Sequence, residues 1–337
     1  VTTPATLDLG YWLSSEEHGP QRLVLLAGQA EAAGFTHAMI SDHFHPWVPS
    51  QGESPFVWGV LGAISQTTTT LRLATGVTAP NLRMHPAVVA HAAATAAVLL
   101  GERFELGLGT GEWLNEHVIG GEWPRPGARR KALGEAIDVI RDLTSGTEVN
   151  HHGKHVTVQH TRLYTAPVVP PPILVAASGK RTAQLAGRSA DGLITFECNP
   201  RIVEQFEAAG GEGKPRIGQL RLCWAPTVEQ AVETAARSWP NATVPPSLNS
   251  EVERPEQFAE VAALSTPEQV AASMICGPDP QPVVRAIARY AAAGYTRVYL
   301  HQVGPDQQGF FRFVTDELRP ALGSMAAGAS PTQPERP

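Results

Sequence analysis

Short apolar runs of β type recur along this chain, each followed by a helical pattern, and that alternation constrains the fold more than any other feature. LDLGYWL, FTHAMIS, LRLATGVT, FELGLGTG and DGLITF read as strands. GPQRLVLLAGQAEAAG reads as a helix, with Pro20 near its start and Gly34 closing it. Strand-then-helix units require a parallel sheet covered by helices. Seven such strands plus a weaker run at Ala272–Gly277 make eight, which is the count of a (β/α)8 TIM barrel whose loops at the carboxyl ends of the strands share one face. A doubly wound open sheet is the rival, but the glycine-rich first turn of a dinucleotide-binding unit is missing. The segment from Trp239 to Thr266 breaks the alternation with prolines and short helical pieces and reads as an insertion over that face. A single barrel domain over 1–323 is expected, with a small, polar, proline-rich tail over 324–337 that reads as disordered.

Composition narrows the function class. With 337 residues and 42% hydrophobic content there is ample apolar material for one large core. The net charge is −6 and the 26 lysines and arginines are scattered, so no basic stripe for nucleic acid or a lipid surface is present. Three cysteines, Cys198, Cys223 and Cys276, give neither a disulfide framework nor a zinc motif and fit a reducing cytoplasm. The start has no signal-peptide pattern, and the Ala-rich run near residue 90 is interrupted by His91 and Thr95.

Under the barrel reading, chemistry belongs at the carboxyl ends of strands. Glu16 follows the first strand, Asp42, His43, His45 and Trp47 the second, and Glu112 and Asn115 the fourth. The HFH pair could hold a divalent metal, but of the further ligands such a site needs only His301 falls at a later strand end. A neutral imidazole beside Asp42 can instead act as a base, and a plain loop role remains open for both rings. LGLGTGE is not a phosphate loop, because Glu112 stands where GxGxxG needs glycine. Its glycines at 107, 109 and 111 suggest a flat ligand close to the backbone. Glu112, crowded beside Trp113, should have a raised pKa and donate a proton, or it may stabilise a helix start. VAASGK reads as a strand entering a helix, with Ser178, Gly179 and Lys180 forming either an anion site or an ordinary cap. The Arg129–Arg130–Lys131 run reads as a solvated helix face.

Taken together, SDHFHPW, ATGVTAP, GTGEWLNE, VAASG, GRSADGLI and HQVGPDQQGFFRF resemble the F420-dependent branch of the luciferase-like oxidoreductases, and within it the F420-dependent glucose-6-phosphate dehydrogenases, over nearly the whole chain. That resemblance implies coenzyme F420 as cofactor, a small organic substrate and a homodimer. It implies that Asp42, a non-prolyl cis peptide at Gly76–Val77, Thr110 and Asn115 surround the deazaflavin ring, with Ala177, Ser178 and Gly179 at its phosphate. It implies His43 as base for a substrate hydroxyl, hydride transfer to C5 of F420, Glu112 as proton donor at N1, and Trp47 and Glu16 lining the substrate side. Two lysines of these dehydrogenases are matched here by Asn199 and Ala272, which points to a substrate other than glucose 6-phosphate. An FMN-dependent monooxygenase on the same barrel, a metal-dependent hydrolase using HFH, and a non-catalytic F420-binding protein are the alternatives.

Overall fold

The computed structural model describes residues 7–328. Eight parallel strands close into a barrel: β1 (Asp8–Leu13), β2 (His37–Ile40), β3 (Arg72–Thr75), β4 (Phe104–Leu108), β5 (Ile173–Ala176), β6 (Gly192–Thr195), β7 (Arg216–Cys223) and β8 (Arg297–Gln302). Each pairs with the next, and β8 returns to β1 through the register Asp8↔Arg297 to Tyr11↔Leu300. The run at Ala272–Gly277 supplies no barrel strand. It contributes only Ile275–Cys276, two residues pairing with Leu222 and Cys223 of β7. The eighth strand is Arg297–Gln302, the stronger β-branched and aromatic run.

Alternation along each strand divides the core in two. Inside the barrel lie Trp12, Met39, Ala74, Leu174, Ile194, Ile217 and Tyr299. Gly10 is required there, since a Cβ would come within 2.4 Å of the Tyr299 ring. Outward positions such as Tyr11, Leu13, Leu106 and Leu300 pack against the helices. Proline opens several of these helices, at Pro20, Pro86, Pro126, Pro200 and Pro280, where its missing N–H costs nothing. At the amino-terminal end of the barrel, Arg297 Nη1 donates to Glu105 Oε2 at 2.6 Å and ties β8 to β4 across the floor.

An antiparallel hairpin, Val149–His152 with Thr157–Thr161, precedes β5. Between β7 and the last barrel unit, the helices Pro240–Thr243, Pro246–Asn249 and Pro255–Ala262 form the insertion. Its Val244 and Phe258 pack with Val48 and Leu114, so it lies on the loops that follow β2 and β4. Arg129 is correspondingly not solvated. It is buried, pairs with Glu251 at 2.8 Å and lies 4.0 Å over the Trp123 ring, tying helix Pro126–Thr144 to the insertion. The last helix, Arg319–Gly328, extends past the expected boundary at 323, and residues 329–337 of the expected tail lie outside the described residues.

Candidate active site

Three titratable side chains from three strand ends meet at the barrel mouth. His43 Nε2 lies 3.6 Å from Glu16 Oε1 and 3.6 Å from Glu112 Oε2. Glu16 follows β1, His43 follows β2, and Glu112 follows β4, so the barrel's closure brings together residues far apart in the chain.

The two carboxylates sit in different surroundings. Glu16 is buried; its Oε2 accepts from Ser41 Oγ at 2.6 Å and from Ser14 Oγ at 3.1 Å. Burial alone would raise its pKa, but His43, the Ser41 hydroxyl and its own backbone amide outweigh that and lower it. Glu112 is pushed up to about 7 by burial and by the Glu16 and Glu116 charges, against His43 and Asn115. Its side chain remains 32% exposed, at the rim of the pocket. One carboxylate is held ionised and the other holds its proton toward neutrality, which separates acid from base. Glu112 occupies the cap position of the four-residue helix Trp113–Glu116, yet its side chain caps nothing there and turns to Asn115 and His43.

Asn115 organises this centre. Its Oδ1 accepts from the amides of Phe44 (2.9 Å) and His45 (3.3 Å), and its Nδ2 donates to Glu112 Oε2 at 3.2 Å. Nδ2 also lies 3.3 Å from His43 Nδ1, while the His45 carbonyl lies 3.2 Å from the same nitrogen. When Nδ1–H donates to that carbonyl, Nε2 is bare and available to take a proton. Trp47 lies tilted at 58° against His43, with ring centroids 4.8 Å apart, and meets Phe258 of the insertion edge-on at 5.2 Å. Gln51 fixes this loop: its Oε1 accepts from the Trp47 amide at 2.9 Å and its Nε2 donates to Asn241 Oδ1 at 3.2 Å.

The two histidines of HFH do not converge. His45 turns its Nδ1 to the Leu114 carbonyl at 3.0 Å and stacks on His117. Among the described residues no group of three or more His, Cys, Asp or Glu side chains is arranged to hold a metal. Asp42 is buried, accepting from Thr78 Oγ1 at 2.6 Å and from Arg83 Nη2 at 3.0 Å. The Gly76–Val77 peptide is cis, with Gly76 against Met39 and Trp12. Gly107 and Gly109 are required by the protein's own packing. A Cβ at 107 would fall 1.9 Å from the Thr75 carbonyl oxygen, and one at 109 would fall 2.7 Å from Val77. Thr110 is half-buried on the rim. Ser178 and Gly179 are exposed after β5, and Gly179, not Ser178, takes the cap position of helix Lys180–Ser189, with no side-chain cap. Among the described residues, no hydrogen bond or ion pair joins Ala177, Ser178 or Gly179 to the Glu16–His43–Glu112 set.

A second layer lies behind this set, of which sequence reasoning singles out only His301. Glu17 Oε1 accepts from the Gly304 amide at 2.9 Å and Oε2 lies 3.5 Å from His301 Nε2; burial pushes Glu17 up to about 7 and His301 down to about 3. Glu116, fully buried, accepts from the amides of Leu82 and Arg83 and so holds the loop after Gly76–Val77. The EE pair at 16–17 and the inward period of β8 were the available signals.

Comparison with known proteins places the chain in a family. The family model described as luciferase-like monooxygenase matches residues 5–297. A protein of Mycolicibacterium fortuitum named F420-dependent glucose-6-phosphate dehydrogenase is 34% identical over 332 residues, covering 94% of this chain and 98% of its own. One of Rhodococcus jostii with the same name, numbered 1, is 34% identical over 95% of this chain and 99% of its own. Among solved structures, an F420-dependent secondary alcohol dehydrogenase in complex with an F420-acetone adduct superposes with a TM-score of 0.87 at 28% identity, covering 94% of this chain and 99% of that one. The F420-dependent tetrahydromethanopterin reductase of Methanopyrus kandleri, at 23% identity and a TM-score of 0.76, shares the fold. A barrel closed by eight parallel strands, a mouth built from SDHFHPW and GTGEWLNE, and relatives aligned end to end leave one placement: this chain belongs to the luciferase-like monooxygenase family.

Proposed function

We propose that this protein is an oxidoreductase dependent on coenzyme F420, acting on a small organic substrate that carries or gains a hydroxyl group. The observation that carries the reading is the Glu16–His43–Glu112 set, a base flanked by one ionised and one protonated carboxylate. The relatives' shared dependence on F420 supplies the cofactor.

The residues present suit such a group. Helix Lys180–Ser189 begins at Gly179, whose Cβ direction is open and whose following amides no side chain caps, which suits an anionic tail. Asp42, Gly76, Val77, Thr110 and Asn115 would stand around the ring, with Ala177, Ser178 and Gly179 at the phosphate. When bound, F420 accepts or gives a hydride at C5. His43 Nε2 takes the proton of the substrate hydroxyl, and Glu16 at 3.6 Å steadies the imidazolium that results. Glu112, protonated below about pH 7, delivers a proton on the opposite side of His43. Trp47 and the insertion exclude water from that side. Homodimeric assembly is part of the proposal, and light scattering checks it.

The test is a fluorescence titration of the purified protein with oxidised F420 and, separately, FMN. Tight F420 binding with much weaker FMN binding is expected, followed by loss of F420 absorbance with an alcohol substrate. Preference for FMN would move the protein to the monooxygenase reading, and binding of neither would remove the cofactor assignment. Tight F420 binding without turnover of any alcohol or carbonyl compound would favour a non-catalytic carrier.

A further inference from the structure

Strand β7 turns Ile217, Gln219 and Arg221 inward by its period of two. Ile217 belongs to the interior layer, and Gln219 Nε2 lies 3.5 Å from His301 Nδ1, so Arg221 stands above both at the mouth. Its register partner in β8 is His301. The guanidinium carbon is 5.8 Å from the Trp239 ring, which itself meets His301 edge-on at 4.6 Å.

This guanidinium is unlike the other arginines set into the barrel. Arg83 pairs with Asp42 at 3.0 Å, Arg129 with Glu251 at 2.8 Å, and Arg297 with Glu105 at 2.6 Å. Arg221 is half-buried; its Nε is buried without a hydrogen-bond partner, as are those of Arg83, Arg129 and Arg297, but among the described residues the rest of its side chain also has no ion pair and no hydrogen bond. Burial pulls its pKa down, against the pull of Tyr290, Glu16 and Glu17. The oxygens of the two glutamates are engaged elsewhere: Glu16 on Ser41, Ser14 and His43, Glu17 on Gly304 and His301. A partly desolvated fork of five donors left unmatched is costly. That cost is recovered when an anion of matching geometry arrives.

We propose that Arg221 is the substrate-recognition residue of this site and that it takes the carboxylate of a small anionic substrate in a two-point pair. A carboxylate fits better than a phosphate because one guanidinium balances one charge, whereas a phosphate monoester of about −1.5 to −2 would be left half neutralised near Glu16 and Glu17. Trp239, and Trp47 on the same side of the mouth, offer apolar walls for the rest of such a molecule.

The inference rests on the F420 reading for its meaning, but its test does not. Isobutyrate against isobutyramide, and phenylacetate against phenylacetamide, are titrated calorimetrically into the protein with and without F420. Each carboxylate should bind roughly tenfold or more tightly than its amide, the factor one charge-assisted pair supplies. Arg221→Met should equalise each pair while leaving F420 affinity unchanged, and Arg221→Lys should fall between; the lysine variant stands in should the methionine variant fold poorly. Equal affinities in the wild type, no binding of either carboxylate, or a preference as large in the variants as in the wild type overturns the proposal. Equal affinities accompanied by a stability loss in Arg221→Met would reduce Arg221 to balancing Glu16 and Glu17. Failure to bind F420 with the carboxylate preference intact would sink only the function proposed above.

Discussion

Asn115→Asp probes the electrostatics of the mouth. Aspartate keeps an acceptor for the Phe44 and His45 amides, so the loop carrying His43 retains its anchor. What changes is the other atom: a donor 3.2 Å from Glu112 Oε2 becomes a second carboxylate oxygen. Two full charges at that distance repel by about 5 kcal/mol at an effective dielectric near 20. Solvent reaches Glu112, whose side chain is 32% exposed, so the realised effect is smaller. An effect of roughly 1.5–3 kcal/mol is left, tenfold to hundredfold in the protonation equilibrium. The pair therefore keeps one proton to higher pH. In the wild type the Glu112 proton is lost as pH rises through about 7. In the variant the same loss should come about 1–2 pH units higher. The assay is a carbon-13 titration of the glutamate side chains, with the pH profile of single-turnover hydride transfer as its functional companion. Asn115→Ala is the control: it removes the donor without adding charge, moves the titration less, and costs about 1–3 kcal/mol because two amides lose their acceptor. A high-pH limb that stays put, or moves down, in Asn115→Asp would refute the coupling of Asn115 to Glu112.

Other expectations are as direct. Glu17, raised from 4.5 to about 7, binds its proton more tightly folded than unfolded, so its contribution to stability is full below pH 4.5 and is lost as pH rises through about 7. Glu17→Gln should therefore stabilise by up to roughly 3 kcal/mol at pH 8 and little at pH 5, read as the difference in Tm between the two. Arg297→Met strands a buried Glu105 and should cost roughly 3–5 kcal/mol in denaturant unfolding, most of it regained in the double variant with Glu105→Leu. Gly107→Ala places a Cβ 1.9 Å from the Thr75 carbonyl oxygen and should displace the end of β3, weakening F420 binding at least tenfold, whereas Gly179→Ala meets no atom within 4 Å and should fold normally.

The barrel was legible because periodicity is local: every strand that closes it except the last-unit assignment could be read from its own residues. The weak run at Ala272–Gly277 misled because a short apolar stretch carries no sign of its partners, and it pairs through two residues with Leu222 and Cys223 at the far end of β7. Glu16, His43 and Glu112 were legible as strand-end residues, and their meeting at 3.6 Å follows from closure. Asn115 reads as a ring contact in sequence, but its anchoring of residues 43–45 depends on where two loops cross. Gly107 and Gly109 were legible as necessary glycines, while the reason lay across the sheet at Thr75 and Val77. Arg129 looked solvated because nothing in its own helix announces Glu251, more than a hundred residues away.

Gln51 joins two parts of the chain that do different work. It hooks the amides of Trp47 and Val48, on the loop that carries His43, to Asn241 and the Ser238 carbonyl at the start of the insertion. The acid–base residues come from β1, β2 and β4, whereas the wall facing them comes from residues 239–266. Lengthening or rewriting that late segment costs little, because the entropy of a longer connection grows slowly. A lineage can therefore acquire new substrates by editing one stretch of its gene while inheriting its proton-handling apparatus untouched, provided the glutamine hook is kept.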